Sequence, residues 1–409
     1  SSDGDTVRAY EGQVTIGGRS ARAGVVTLQG GARVQGMDVA LLGGRVEVAG
    51  GASVTAGDDR HPEDGNHSVT IAGTGDTDDC PNGILVSGPG TAVRGGSVRL
   101  SCNGSAVRVA DGASVEAFAH EGELLVLGDS VALTGCNTSV NASRIQVVAN
   151  AAAGANISAG LEGVSHLERP PRPMFSVVSP RGALSLGGCH GLWHVREFFA
   201  LGAAASLWNQ TVRTQGTSCN NSQSTKVDRC PGMLSGLPIH PVASDSNVSF
   251  DFVVAAQYEL AITGAGVYAA SMIACSNSSA RFGGGVRLDA SGRGCGPGEG
   301  LGAGSNVGAP WVMCGAGGAS HIGTGGEGAT YRPEDPSVQE CGAYPGQAYD
   351  GLSESLMPTR GASGGGCGVP APCPDLVGPE DMVAPSSGGG LIWLSARNFT
   401  MSDDVQVLA

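Results

Sequence analysis

The feature that most constrains this chain is a repeat near its N-terminus. The segment V-T-L-Q-G-G-A-R-V (26–34) recurs 20 residues later as V-E-V-A-G-G-A-S-V (46–54), and 61 residues after that as V-R-V-A-D-G-A-S-V (107–115). Each copy has two short alternating apolar stretches joined by a Gly pair or by Asp-Gly. Such alternation is typical of strands with one buried face, and glycine lets the backbone bend sharply between them.

A unit of about 20 residues cannot bury its apolar face alone, so it must stack on a neighbour with the same pattern. Stacked units, here called rungs, form a parallel β-solenoid, or β-helix. We therefore predict an all-β fold in which rungs at Val26, Val46 and Val69 stack in parallel, and the third copy lies about three periods of 20 after the second. Leu28, Val48 and Ile71 are expected to point inward. A glycine-rich β-sandwich with accidental similarity is the alternative.

The pattern divides the chain into three regions. Residues 1–136 are predicted as β-solenoid, 137–247 as an irregular insert region that continues the solenoid, and 248–409 as further rungs. In the last region, 26 of the 97 residues from 294 to 390 are glycine, too many for an apolar core of their own. Because this segment also holds aromatic residues and five cysteines, we predict a long, ordered, disulfide-pinned loop laid against the solenoid.

Charge and hydropathy exclude some functions. The formal net charge is 23 minus 37, or -14, which disfavours nucleic acid and anionic membranes. No run of 18 apolar residues exists, so we predict no direct membrane insertion. The chain begins at Ser1 without a signal peptide and ends in a strand-like V-Q-V-L-A, so we expect a processed or excised piece of a longer polypeptide.

N-glycosylation sequons are strongly enriched. Ten of 14 asparagines precede x-Ser/Thr, whereas 60 Ser and Thr in 409 residues would give about two by chance (14 × 60/409). Sequons are modified only in the secretory pathway, so we predict a secreted or cell-surface eukaryotic glycoprotein. The predicted sites are Asn66, Asn103, Asn137, Asn141, Asn156, Asn209, Asn220, Asn247, Asn277 and Asn398, with Asn103, Asn141 and Asn247 the leading candidates.

Twelve cysteines without a C-x-x-C metal pattern fit an oxidising compartment. We predict disulfides among Cys80, Cys102, Cys136, Cys189, Cys219, Cys230, Cys275, Cys295, Cys314, Cys341, Cys367 and Cys373. The pairs Cys80/Cys102 and Cys275/Cys295 are each separated by about one rung, and stacked positions about 4.8 Å apart suit a disulfide. Cys219–Cys230 and Cys367–Cys373 would close short loops. The remaining connectivity is open.

Other polar groups give weaker signals. His190, His194 and Glu197 lack the H-E-x-x-H order of a zinc protease and are interpreted as packing residues. Two acidic groups offer oxygen ligands for calcium, but without the spacing of a calcium loop: Asp76, Asp78 and Asp79, and Asp58, Asp59, Glu63 and Asp64. Aspartate in turns often bonds its own backbone, so no cofactor is predicted and calcium is kept as the candidate metal.

Catalytic and sugar-stacking residues are harder to choose. The paired carboxylates of a glycosidase cannot be selected from spacing, and no G-x-S-x-G elbow exists, so no catalytic residue is predicted. Trp193, Trp208, Trp311 and Trp393 are candidates for stacking on sugars, although core packing is the preferred interpretation for most of them.

The C-terminal part carries a resemblance. Its motifs are D-A-S-G-R-G (289–294), G-G-A-S-H-I-G-T-G-G (317–326), Y-R-P-E-D-P (331–336), A-S-G-G-G (362–366) and S-S-G-G-G-L-I-W-L-S-A (386–396). They resemble glycine-rich, pectin-lyase-like β-helical surface proteins of algae, plants and protists, although Ala319 and Ile322 interrupt the usual G-G-S-H-G-G. The resemblance implies a surface or matrix protein without an established catalytic motif.

Together these observations predict a non-enzymatic structural glycoprotein of a cell-surface coat, matrix or extracellular filament. Its expected partners are copies of itself or other surface and matrix glycoproteins. The alternatives are a polysaccharide lyase or hydrolase on a β-helix, and a carbohydrate-binding adhesin.

Overall fold

The protein is all-β over the part of the chain that the computed structural model describes. That part comprises residues 5–9, 12–18, 24–57, 67–73, 80–162, 173–188, 192–214, 251–293 and 389–409, and it contains no helix. Its strands are β1 (Thr6–Arg8), β2 (Gln13–Gly17), β3 (Val25–Leu28), β4 (Arg33–Gly36), β5 (Asp38–Leu42), β6 (Arg45–Ala49), β7 (Ser53–Ala56), β8 (Ser68–Ala72), β9 (Ile84–Ser87), β10 (Ala92–Gly95), β11 (Ser97–Ala110), β12 (Ser114–Ala117), β13 (Glu123–Leu133), β14 (Ser139–Asn141), β15 (Arg144–Ile157), β16 (Gly160–Glu162), β17 (Met174–Gly187), β18 (Leu192–His194), β19 (Glu197–Trp208), β20 (Thr211–Arg213), β21 (Phe252–Thr263), β22 (Gly266–Tyr268), β23 (Ser271–Ser276), β24 (Ser279–Gly283), β25 (Arg287–Asp289), β26 (Leu391–Ser395), β27 (Asn398–Met401) and β28 (Gln406–Leu408).

Every pairing between these strands is parallel. A β-sandwich is built from antiparallel sheets, so this alternative is excluded. The parallel sheets are consistent with the predicted β-solenoid.

The strands form three ladders that the chain visits in a fixed order. Ladder A consists of β1, β4, β7, β10, β12, β14 and β16, followed by β18, β20, β22, β25 and β28 in a second sheet. Ladder B contains β2, β5 and β8, the first parts of β11, β13, β15, β17, β19 and β21, and then β23 and β26. Ladder C contains β3, β6 and β9, the second parts of the same long strands, and then β24 and β27. The region 137–247 holds β14 to β20, which pair in these ladders.

One apolar core is built from alternate residues of all three ladders. Val54 of ladder A, Ile71 of ladder B and Val48 of ladder C are fully buried members of the same cluster. Because side chains alternate across a strand, the intervening residues lie on the outer side of each ladder. Small β-branched residues fill the first rungs.

Aromatic residues fill the core of the later rungs. Phe175, Phe198 and Phe252 occupy one inward column of ladder B, with 5.2 Å between successive ring centroids. Trp193 of ladder A packs on Phe198 at 6.1 Å and donates its indole N–H to the carbonyl oxygen of Ala159 at 3.1 Å. The buried indole is therefore paired, as a buried polar group should be.

The sequence repeat correctly predicts the register of two ladders. Val26 pairs with Val46 and Leu28 with Val48 in ladder C, whereas Val34 pairs with Val54 in ladder A. Val48 and Ile71 are fully buried, and Leu28 packs on the core from a partly buried position.

The predicted stacking of Val69 on Val46 is wrong. Val69 belongs to ladder B, between Val39 and Val98, and Ile84 is the residue that pairs with Val46. Val107 of the third repeat copy pairs with Ile84, two rungs after Val46 rather than three. Long connections on either side of β8 lengthen that rung.

Four of the five longest connections leave from the same edge, and the fifth, between β8 and β9, joins ladder B to ladder C. Those four join ladder A to ladder B, between β7 and β8, β16 and β17, β20 and β21, and β25 and β26. The connection between β25 and β26 contains the predicted glycine-rich loop, of which 294–388 lie outside the described residues.

Candidate functional site

Six exposed sequon asparagines gather on one side of the molecule. Asn156 lies on the outer side of ladder C, between the buried inward residues Ala155 and Ile157, and Asn398 begins β27 of the same ladder. The other four border ladder C: Asn103 lies at the irregularity between the two parts of β11, and the other three lie in connections between strands. Asn103 and Asn277 are on the ladder B side, and Asn137 and Asn209 on the ladder A side. We call these six residues the sequon face.

Asn141 has a different environment. It lies in ladder A, beside the inward Val140, yet it is only 9% exposed and its Oδ1 is buried without a hydrogen-bond partner. An N-glycan needs a side-chain amide that reaches solvent, so the folded structure favours the sequon face over Asn141 as carrier of glycans. The sequons at Asn66, Asn220 and Asn247 lie outside the described residues.

The cysteines that the structure describes are all oxidised. The predicted Cys80–Cys102 disulfide is confirmed, with 5.2 Å between the two Cα atoms. Cys136 and Cys275 are also disulfide-bonded. The remaining eight cysteines lie outside the described residues, so their predicted pairing stays a prediction. They are Cys189, Cys219, Cys230, Cys295, Cys314, Cys341, Cys367 and Cys373.

The other candidates from the sequence do not assemble into a site in the described part of the chain. His194 is exposed on the outer side of ladder A, so its interpretation as a packing residue is wrong. The side chain that points into the core from this strand is that of Trp193. Trp193 is buried and Trp393 partly buried, whereas Trp208 is 38% exposed and donates to Ser185 Oγ at 3.2 Å. His190, Trp311 and the two acidic groups around Asp58 and Asp76 lie outside the described residues. Among the described residues, no three His, Cys, Asp or Glu side chains lie close enough together to hold a metal ion.

The side-chain arrangement among the described residues that best suits a binding site is an arginine–tyrosine stack on the outer side of ladder A. Arg213, Tyr268 and Asp289 hold equivalent positions in three successive rungs, because β20, β22 and β25 pair in register. The guanidinium carbon of Arg213 lies 4.9 Å from the Tyr268 ring centroid, and that of Arg287 lies 5.8 Å from it. A side chain at Gly266 would come within 3.2 Å of the tyrosine ring, so this glycine leaves the space that the ring occupies.

The two arginines of the stack are electrostatically different. Arg287 donates from Nε and Nη2 to Oδ2 of Asp289, at 3.1 and 2.6 Å. Burial opposes ionisation of Asp289, but the hydrogen bonds from Arg287 and Ser291 outweigh it and hold its pKa below the ordinary value. The pKa of Arg287 is raised, chiefly by its hydrogen bond to Asp289. Arg213 has no carboxylate within reach in the described structure and keeps its guanidinium donors available.

Sequence reasoning misses this stack because its members are far apart in the chain. Arg213 and Tyr268 are joined by a connection that includes residues 215–250, and no local motif links them. Only the register of ladder A brings them together.

Comparisons with protein-family models, with curated proteins and with solved structures give no match. No helix among the described residues is long and apolar enough to cross a membrane.

Proposed function

We propose that this protein is a secreted N-glycoprotein that acts as a non-enzymatic structural module of a cell-surface coat, matrix or extracellular filament. The observation that carries the proposal is the sequon face, on which six exposed asparagines lie along ladder C and its edges. Glycans there would cover one side of the molecule and leave the outer side of ladder A open for contacts. The resemblance to β-helical surface proteins points to the same role.

Glycan mapping tests this proposal. Native protein treated with a glycan-releasing amidase in heavy-oxygen water should show labelled aspartate at Asn103, Asn137, Asn156, Asn209, Asn277 and Asn398. Asn141 is expected to show lower occupancy because it is buried. Asn150, exposed but outside any sequon, controls for spontaneous deamidation. Unmodified asparagine at all six positions would remove the basis of the proposed secretion.

At the level of the fold, we propose that the three ladders close into a solenoid and that the glycine-rich segment lies on the outer side of ladder B. The support is a second apolar cluster, the outer cluster, formed by Val253, Ala255, Ile273 and Cys275. These four residues face away from the main core, yet none is more than 7% exposed. The glycine-rich segment ends immediately before β26. This strand pairs with β23, which contributes Ile273 and Cys275 to the outer cluster.

We further propose that the partners are copies of itself or other surface and matrix glycoproteins. Phe399 and Val407 continue inward columns of the core but are each 43% exposed, because no described strand pairs with the far side of β27 or β28. An unpaired strand edge beside exposed apolar side chains is a template for another strand.

A second candidate function is that of a carbohydrate-binding adhesin. The arginine–tyrosine stack favours it, because exposed arginine and aromatic side chains are frequent anchors of recognition surfaces.

A further inference from the structure

The outer side of ladder A carries a row of planar polar side chains. His194, Arg213 and Tyr268 hold one column in three successive rungs, about 4.8 Å apart as in any β-sheet. His194 and Arg213 are exposed, and Tyr268 is half-buried under the two guanidinium groups. None of the six residues of the sequon face lies on a strand of ladder A, and Asn209, the nearest in sequence, lies in the connection before β20.

Arg213 is the group in this row that is ready to bind an anion. Tyr268 holds the guanidinium in place, while Asp289, which is in register with Tyr268 in the next rung, is paired with Arg287. A guanidinium that is positioned but not neutralised can donate two parallel hydrogen bonds to a carboxylate or sulfate. Its rigid support lowers the entropy lost on binding.

We propose that this row binds an acidic polysaccharide that lies along the axis of the ladder, with Arg213 as the anion-binding residue. A sugar chain bears an acidic group together with hydroxyls that suit His194 and the Tyr268 hydroxyl. An acidic peptide such as polyglutamate fits less well, because the row offers one anion-binding residue, Arg213, beside His194 and Tyr268, which suit hydroxyl groups that polyglutamate lacks. The inference rests on the proposed extracellular role, which would expose the protein to such polymers.

The test is binding of the full chain to four immobilised polymers: polygalacturonate, chondroitin sulfate, neutral dextran and polyglutamate. We expect saturable, salt-sensitive binding to one or both acidic polysaccharides. We expect no binding to dextran or to polyglutamate. Arg213→Gln should weaken this binding about tenfold, because a charge-assisted contact of ordinary strength is lost. Arg281→Gln is the matched control, since Arg281 is an exposed arginine on ladder C in the same rung as Tyr268.

Each other result overturns the proposal. No binding, equal binding to dextran, or preference for polyglutamate excludes an acidic-polysaccharide site, and equal losses in both arginine variants would mean unspecific attraction. Carboxylate-bearing and sulfate-bearing polymers identify which anion is preferred. The enzymatically deglycosylated protein should bind as well as the native one, so failure of this test is distinct from failure of the glycan mapping.

Discussion

At the scale of single residues, Cys275 is the cysteine that can test where the glycine-rich segment lies. It belongs to the outer cluster, is fully buried and is disulfide-bonded. Cys295 is one rung away in sequence and begins the segment that returns at β26.

We therefore predict that non-reducing peptide mapping will find Cys275 joined to Cys295. Cys80 and Cys102 provide the internal control, because their disulfide is present in the structure. A bond from Cys275 to a cysteine outside 294–388, or a free thiol, would contradict the proposed placement of the glycine-rich segment on ladder B.

Residue-level motifs in the sequence have a clear limit. The sequon pattern finds Asn103 and Asn141 equally well, because it depends only on three consecutive residues. It cannot show that Asn103 is exposed and Asn141 is buried, since burial is decided by neighbouring rungs. For the same reason Arg213 and Tyr268 cannot be joined from sequence: their contact follows from a register set across a long insertion.

At the scale of elements, aspartates fix the points where inserted segments return to ladder B. Asp38 accepts hydrogen bonds from the backbone N–H and the hydroxyl of Ser68, at 2.8 and 2.9 Å. Asp251 does the same with Ser271, at 2.6 and 2.7 Å, and also accepts from the Ala270 N–H and the Thr214 hydroxyl. Thr214 and Asp251 flank residues 215–250, so their hydrogen bond closes the base of that insertion.

These contacts predict unequal effects of two matched substitutions. Asp251→Ala leaves two buried backbone N–H groups without an acceptor and should lower the free energy of unfolding by about 3 kcal/mol. Asp38→Ala removes a partly buried acceptor with fewer partners and should cost about 1 kcal/mol. Denaturant unfolding measures both values. Equal losses, or a loss within error for Asp251→Ala, would show that the aspartate does not clamp the insertion.

The rung pattern was predictable where connections are short and failed where they are long. Between β3 and β7 the sequence period equals the structural period, so Val26/Val46 and Val34/Val54 were assigned correctly. Around β8 the inserted residues change the spacing, so the 20-residue period predicts the wrong ladder for Val69. Hydrophobic periodicity identifies strands, but the number of residues in a rung is free to vary wherever a connection faces solvent.

At the scale of the whole molecule, the last rung presents a surface that resembles an interrupted core. Phe399 packs on Phe282 of the preceding rung, with 5.1 Å between the ring centroids, but its other side is open. Val407 likewise pairs through β28 with Leu288 and has no described strand beyond it. Burial of such side chains by another rung would be favourable, because apolar surface leaves water.

We predict that the purified 409-residue chain associates with increasing concentration, through this last rung. The double variant Phe399→Lys and Val407→Lys should remain monomeric, because two charges would face any incoming rung. Tyr258→Ser is the control: Tyr258 is 60% exposed but lies between ladders B and C, away from the end of the stack. Light scattering across a concentration series measures the mass of each protein. A native chain that stays monodisperse and monomeric, or a Tyr258→Ser variant that loses association as the lysine variant does, would show that the last rung is not the contact surface.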